Sequence, residues 1–350
     1  MAVSLELLNT TLQDFKGPIV NTYSQQTPTR ELLMKKGKIS SEGGTYVERG
    51  LMTGSPSKGT GIYGGDETLD RTRYKKAEKF RVDFHRVVVP IVIPNKELKQ
   101  NSGKLAVIKM IENYPKAVAD GLAIDDEKFW LTGKTSDMVF ASEDFYGFST
   151  LNGQFASGNG TGVEFGFLEF AAAASQTNTL QNVAKSEAAR LYNQYGDITG
   201  WSTDGEKVLR QVYRRCAQFC GRQNGGPDLM IMDDDTFANY TASKKDIVRL
   251  VKVSDQTDKG NLLTDVFALA SVYGSVLIDL AADFTGVAQD GVTYMVDTNW
   301  LEIVQLEKPT LSDFVDAGSD QDGVVAKMAM HEARIFQKPA AHGCVSGGAT

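Results

Sequence analysis

The chain has 350 residues, a formal net charge of −7 and a hydrophobic content of 41%. This length and composition predict a globular protein of roughly two domains, at ~150 residues each, and exclude global disorder. The acidic charge excludes a protein that grips duplex DNA over its whole surface, because phosphate binding needs basic side chains. We expect any contact with nucleic acid to be weak or confined to local patches.

The N-terminus and the cysteines narrow the class of protein further. Residues 1–15 lack a basic region followed by a long apolar run, so no signal peptide is predicted. No window reaches ~18 consecutive apolar residues, so no membrane contact is expected. Cys216, Cys220 and Cys344 are an odd number in a long chain. A disulfide framework is therefore not expected, and Cys216 and Cys220, four apart on a predicted helix, are expected to be small core residues.

The first third of the chain has few regular patterns. Residues 1–35 show no clean hydrophobic period and predict an arm that another surface must hold. Residues 36–70 contain few large apolar side chains, and the glycine-rich stretch 53–67 predicts a flexible loop tip.

A period of two begins at residue 71 and predicts a strand with one basic face and one partly apolar face. The strand continues into the apolar run 87–93, where Pro90 and Pro94 favour a sheet edge or a bend. Residues 36–93 therefore predict one long hairpin, which at about 20 residues a side would reach ~65 Å. A two-stranded ribbon is marginal alone, so we expect it to lie on a neighbouring copy.

Apolar residues at steps of three and four predict a long helix over 103–132, kinked at Pro115 and ended by Gly133. Further along the chain, the same kind of pattern predicts elements of both types. These are a short helix near 183–194, a helix over 205–220, a buried strand at 228–232 with a helix after it, and strands at 276–280, 293–296 and 301–306.

The motifs that carry chemistry are weak. Gly59–Gly64 matches G-x-G-x-x-G, but no buried strand precedes it and no helix is predicted after it, so a flexible loop is favoured over a dinucleotide site. Asp233, Asp234 and Asp235 follow a short apolar strand and could cap a helix or hold a divalent metal. Capping is favoured, since no partner histidine or phosphate loop accompanies them. We expect no catalytic constellation and no cofactor.

Five stretches, in their order along the chain, resemble the tailed-bacteriophage major capsid family, whose shell fold is shared with encapsulins. Residues 82–98 resemble the family's returning extended loop (VDFHRVVVPIVIPNKEL), and 102–134 resemble its spine helix (SGKLAVIKMIENYPKAVADGLAIDDEKFWLTGK). Residues 226–240 are similar to a strand and helix of its axial domain (GPDLMIMDDDTFANY). Residues 294–309 and 323–341 resemble closing strands of its peripheral domain (YMVDTNWLEIVQLEKP and GVVAKMAMHEARIFQKPAA).

The resemblance implies an α+β fold with the phage major capsid shell architecture. Its parts would be an N-terminal arm (1–35), an extended β-hairpin loop (36–93), a peripheral domain with a long spine helix (94–150), an axial domain (151–295) and closing peripheral strands (296–350).

The same resemblance implies a structural protein of the virion and not an enzyme. Copies would assemble in the bacterial cytoplasm through hexamers and pentamers into an icosahedral shell around double-stranded DNA. The implied partners are further copies, a scaffold, a portal and optionally a cement protein, with weak non-specific contact to the packaged DNA. The alternatives are an encapsulin-like compartment and, from another class, a carboxylate-dependent metal enzyme centred on Asp233 to Asp235.

Charged residues near the predicted hairpin are the candidates for contact between copies. Five basic residues at odd positions share one face of the strand: Arg71, Arg73, Lys75, Lys79 and Arg81. This face could simply be solvated, but in an acidic chain we favour contact with an acidic surface of a neighbour. The acidic candidates lie on the predicted spine helix: Asp120, Asp125, Asp126 and Glu127.

Overall fold

The structure is a computed structural model. The residues it describes are 28–52, 77–100, 104–132, 147–150, 166–169, 172, 179–180, 183–184, 191–220, 225–243, 251–252, 267–268, 275–278, 291–316 and 322–347. The helices are α1 (Pro28–Lys35), α2 (Asn95–Gln100), α3 (Lys104–Thr132), α4 (Glu206–Cys220, after a π-helical turn at Trp201–Gly205) and α5 (Asp234–Ser243). The strands are β1 (Ile39–Ser41), β2 (Tyr46–Met52), β3 (Ala77–Asp83), β4 (His85–Pro94), β5 (Gly147–Thr150), β6 (Gly166–Glu169), β7 (Thr179–Leu180), β8 (Val183–Ala184), β9 (Gln194–Asp197), β10 (Leu229–Met232), β11 (Val251–Lys252), β12 (Phe267–Ala268), β13 (Ser275–Ile278), β14 (Thr293–Val296), β15 (Leu301–Leu311), β16 (Val315–Asp316), β17 (Gly323–Phe336) and β18 (Gly343–Ser346).

The long helix α3 lies against a five-stranded sheet. In this sheet, β17 pairs antiparallel with β15 on one side and with β4 on the other. Strand β1 runs parallel to β15. Successive strand residues point to opposite faces. The face that α3 covers holds Val324, Ala326, Met328 and Met330, which pack against Leu122 and its neighbours on the helix.

The second sheet has seven strands, in the order β11-β12-β13-β10-β14-β18-β9. Both faces of its central strand β10 are buried. Leu229 and Ile231 point into the main core, whereas Met230 and Met232 pack beneath α4 and α5. A side chain at Gly343 would clash with Val212 of α4, since its Cβ would lie 2.7 Å from that residue's Cγ1. Glycine at this position therefore lets the helix approach the sheet closely.

The main core joins the two sheets. It is built from Trp130 and Leu131 of α3, Phe336 of β17, Tyr294 of β14 and further side chains from both sheets. Trp130 and Phe336 meet edge to face, with 6.2 Å between their ring centroids. One hydrophobic core thus continues across both layers.

The predicted hairpin extends over 36–93, but its described antiparallel stem begins only at Tyr46 and ends at Asp83. Ile39–Ser41 and His85–Pro94 belong to the five-stranded sheet, and the antiparallel stem consists of β2 and β3. Val47 and Val82 of the stem pack on Ala333 and its neighbours in β15 and β17. The prediction that the hairpin lacks a surface in its own subunit is wrong for the stem. Its tip (53–67) lies outside the described residues.

The structure differs from the sequence predictions at three other places. The end of the predicted arm, α1, packs within its own subunit, with Leu33 fully buried. Strand β18, expected among the closing peripheral strands, pairs with β14 and β9 in the seven-stranded sheet. The prediction of a short helix near 183–194 is wrong at both ends, because strand β8 lies at its start and strand β9 begins at its end.

Candidate functional site

The two described residues of the basic strand face follow the predicted alternation. On β3, Lys79 and Arg81 are exposed, whereas Phe80 and Val82 are buried. Arg71, Arg73 and Lys75, which continue the same pattern, lie outside the described residues.

Both described basic residues already have partners on the hairpin stem. The Nζ of Lys79 lies 2.8 Å from Oε2 of Glu48, and this hydrogen bond raises the pKa of Lys79. Arg81 lies 3.4 Å from an Asp83 carboxylate oxygen, and its guanidinium stacks 4.0 Å from the centre of the Tyr46 ring. Both pairs are exposed to solvent and therefore weak, so a neighbouring carboxylate could replace them.

The acidic candidates on α3 do not form one surface. Asp120 and Asp125 are half-buried, and the side chain of Glu127 lies outside the described residues. Asp126 is fully buried, and its prediction as an inter-subunit contact is wrong. It lies one helical turn after Leu122 and one before Trp130, on the stripe of α3 that faces the sheet.

Asp126 belongs to a buried ion network with Arg30 of α1 and with Glu332 and Arg334 of β17. Arg30 donates to an Asp126 oxygen at 3.1 Å and to a Glu332 oxygen at 2.6 Å. Arg334 donates to Glu332 at 3.1 Å and also to Asp126. All four side chains are at most 1% exposed. Two positive and two negative charges therefore balance inside the subunit.

The network has clear electrostatic consequences. Burial alone would raise the pKa of Glu332, but Arg30 and Arg334 hold it below the ordinary value. The Arg334 guanidinium also stacks 4.1 Å from the centre of the Trp130 ring, which adds a cation–π contact. The arrangement links α1, α3 and β17, three segments far apart in the sequence. The role of the network is structural, since both oxygens of each carboxylate accept hydrogen bonds from buried arginines.

One face of the five-stranded sheet remains open beside the hairpin stem. By strand register, Val92, Val325 and Val315 form a row across β4, β17 and β16. Val92 is 44% exposed and Val315 is 60% exposed, and Val88 of β4 is also exposed. The sequence signal for this surface was the apolar run 87–93, because a strand with one solvated face normally alternates apolar and polar residues.

The carboxylates at 233–235 fit helix capping. The Oδ2 of Asp233 accepts a hydrogen bond from the backbone N–H of Thr236 at 3.1 Å, which is the geometry of an N-cap on α5. Asp235 is exposed in the first turn, and the side chain of Asp234 lies outside the described residues. The capping prediction is confirmed for Asp233. Within the described ranges, no three His, Cys, Asp or Glu side chains come together as metal ligands would.

Replacing Asp233 by alanine should lower the free energy of unfolding by about 1 kcal/mol, because the Thr236 amide loses its acceptor. Asp235→Ala should cost less, about 0.3–1 kcal/mol through the helix dipole alone. Urea denaturation would measure both, and Asp233→Asn, which keeps an acceptor, should restore most of the loss. Binding of a divalent ion at this cluster, seen by calorimetry, would contradict the capping role.

Cys220, Asp297 and His342 lie together but cannot act as a nucleophilic triad. Nδ1 of His342 accepts the Asp297 backbone N–H at 3.2 Å, and Nε2 lies 3.2 Å from the Gln337 carbonyl oxygen. Burial lowers the pKa of His342 to about 4. Burial and the nearby Asp297 carboxylate raise the pKa of the Cys220 thiol. A neutral histidine bonded at both nitrogens and a protonated thiol are structural groups.

No described helix combines the length and apolarity needed to cross a membrane. No family model and no curated protein matches the chain. Solved structures do match. The capsid of Myoviridae phage XM1 aligns with a TM-score of 0.53 and 10% identity, over 90% of this chain and 92% of its own. The capsid of cyanophage A-1(L) aligns with a TM-score of 0.52 and 12% identity, over 93% of each chain. The chain therefore has the α+β capsid shell fold of phage major capsid proteins.

Proposed function

We propose that the chain is the major capsid protein of a tailed bacteriophage, a structural protein of the virion and not an enzyme. Copies arranged as hexamers and pentamers would close an icosahedral shell around double-stranded DNA, with a scaffold and a portal as assembly partners and a cement protein as an optional one. The observation that carries this proposal is the shared fold, which extends over at least nine-tenths of this chain and of both phage capsid chains.

Two features of the described surface support assembly from many copies. The hairpin stem of the subunit covers one part of a face of the five-stranded sheet, and the apolar row lies on the uncovered part of the same face. A second copy laid beside that stem would extend the same covering. The exposed basic residues of β3 offer a charged contact next to it.

Negative-stain microscopy of the purified full chain, with and without a crowding agent, tests the proposal. Closed particles of uniform size are expected, and extracted particles from an infected host should contain nuclease-protected DNA. Particles that contain protein cargo and no DNA would favour the encapsulin-like alternative. A monomer that stays unassembled at micromolar concentration under all these conditions would count against both.

Reversing charge at Arg73 and Lys75 to glutamate should weaken assembly, and added sodium chloride should weaken it further in the unaltered chain. The reason is that the basic strand face would meet acidic groups of a neighbour, with Asp120, Asp125 and Glu127 as the candidates. Such contacts are screened, since the Debye length falls from ~10 Å at 0.1 M salt to ~3 Å at 1 M.

Light scattering would follow assembly of this double variant. The matched control reverses two exposed lysines elsewhere, Lys96→Glu with Lys308→Glu. If the Arg73 and Lys75 reversal assembles at low salt as readily as the unaltered chain, the basic face is only solvated.

A further inference from the structure

The outward face of α4 is strongly basic. The inward face of this helix carries Leu209, Val212, Tyr213, Cys216 and Cys220, all buried. At 100° per residue, the remaining exposed side chains fall within an arc of roughly 140°. They are Lys207, Arg210, Gln211, Arg214, Arg215 and Gln218. Four cations and two amides thus share one face, in a chain whose net charge is −7.

The positive charge of this face is largely uncompensated. Arg210 pairs with Glu206, at 2.7 Å, one turn earlier on the same helix. Lys207, Arg214 and Arg215 form no ion pair with any residue that the structure describes. At 1.5 Å per residue, Arg210 and Arg214 lie about 6 Å apart along the axis, and Lys207 and Arg214 about 10 Å. A rigid helix therefore presents a row of cations at fixed spacing.

The composition of the face favours a polyanion over a protein partner. The buried centre of a protein–protein interface is enriched in aromatic residues and methionine, as well as in arginine, and is depleted of lysine and acidic residues. This face has no apolar group among its exposed residues. Three of its four cations are arginines, whose planar guanidinium donates two parallel hydrogen bonds to a phosphate. Gln and Arg side chains are also typical donors to the phosphate backbone of nucleic acid.

We infer that the exposed face of α4 binds the phosphate backbone of duplex DNA without sequence preference. The choice of duplex DNA rests on the proposed function, a shell that encloses it, whereas the preference for a polyanion rests on the face alone. An acidic protein surface is the competing partner.

Fluorescence anisotropy of the full chain with a labelled 30-base-pair duplex tests the inference. Each phosphate contact adds about −0.9 to the slope of log affinity against log salt. Four contacts would weaken binding roughly 100-fold between 50 and 200 mM sodium chloride. The variant Lys207→Gln/Arg214→Gln/Arg215→Gln should bind at least about 10-fold more weakly at 50 mM and should have a slope shallower by about 2–3.

The matched control removes three other exposed cations: Lys96→Gln/Lys308→Gln/Lys327→Gln. It should keep the slope and most of the affinity. Equal losses in the two triple variants, or unchanged binding in the α4 variant, would overturn the inference. So would displacement of DNA by polyglutamate at matched charge as effectively as by unlabelled duplex, because the partner would then be an acidic protein.

Microscopy of the same α4 variant separates this inference from the proposed function. Particles like those of the unaltered chain are expected, because the face would contact DNA and not a neighbouring copy. Failure to assemble, with DNA binding unchanged, would overturn the inference and leave the shell function standing. If the unaltered chain forms no particles but loses DNA binding with the α4 substitutions, the shell function fails and the inference holds.

Discussion

Replacing Arg334 by methionine is expected to lower the free energy of unfolding by about 3–5 kcal/mol, the cost of breaking a buried ion pair by removing one partner. The substitution leaves two buried carboxylates, Asp126 and Glu332, with Arg30 alone, and it removes the stacking on Trp130. Urea unfolding of the unassembled chain, followed by tryptophan fluorescence, would measure the loss.

Two further variants make this test sharp. Arg81→Met removes an exposed arginine with one ion pair and one ring contact, and should change stability by no more than about 1 kcal/mol. Replacing all four network residues by Met and Leu should cost less than Arg334→Met alone, because no unpaired charge then remains buried. A loss below about 1 kcal/mol for Arg334→Met would mean that water reaches the network.

The same network predicts acid sensitivity. The pKa of Glu332 lies below its ordinary value of 4.5 in the folded chain, so the unfolded chain takes up a proton first as the pH falls. The stabilisation from this carboxylate is complete above pH 4.5 and is lost as the pH falls through the folded-state pKa. In Arg334→Met this acid-induced loss should be smaller, because one of the two cations that lower the folded-state pKa is gone and that pKa moves up towards the unfolded value.

Phe80→Ala is expected to cost about 3–5 kcal/mol, as for other large aromatic residues removed from a core. Phe80 is 1% exposed and belongs to the main core, so it anchors the hairpin stem within its own subunit. Tyr46→Ala is the matched control, since Tyr46 lies on the same stem but is 40% exposed. Urea unfolding of the two unassembled variants should differ by at least about 2 kcal/mol. Equal losses of unfolding free energy in the two variants would show that the stem packs on its own subunit only after assembly.

The elements with strong local patterns could be predicted from the sequence. Helix α3 begins one residue after the predicted start at 103 and ends at the predicted residue, because apolar side chains recur at helical spacing along it. Strand β10 could be predicted because its short apolar run lies between a turn and a helix cap. A helix cap within 233–235 followed from residue type and position, and the structure shows that Asp233 provides it.

The buried network could be predicted only in part. Asp126 follows Leu122 by four residues, which places it on the apolar stripe of α3, but the acidic residues on either side, Asp125 and Glu127, favour an exposed position. Nothing local marks Arg30, whose partners are 96 and 302 residues away in the sequence. The pairing of β4 with β17 is equally remote, and no pattern within 87–93 indicates its partner.

Strand β4 has a consequence for the way in which copies can meet. Among the described strands it pairs with β17 alone, so its other side is a sheet edge. Pro90 and Pro94 supply no amide hydrogen to a further strand along this edge. The two prolines therefore disfavour the merging of sheets from crowded copies into continuous fibres, a common failure of exposed edges. Association through side-chain surfaces is favoured instead, and such contacts can fit a closed assembly and stay reversible while errors are corrected.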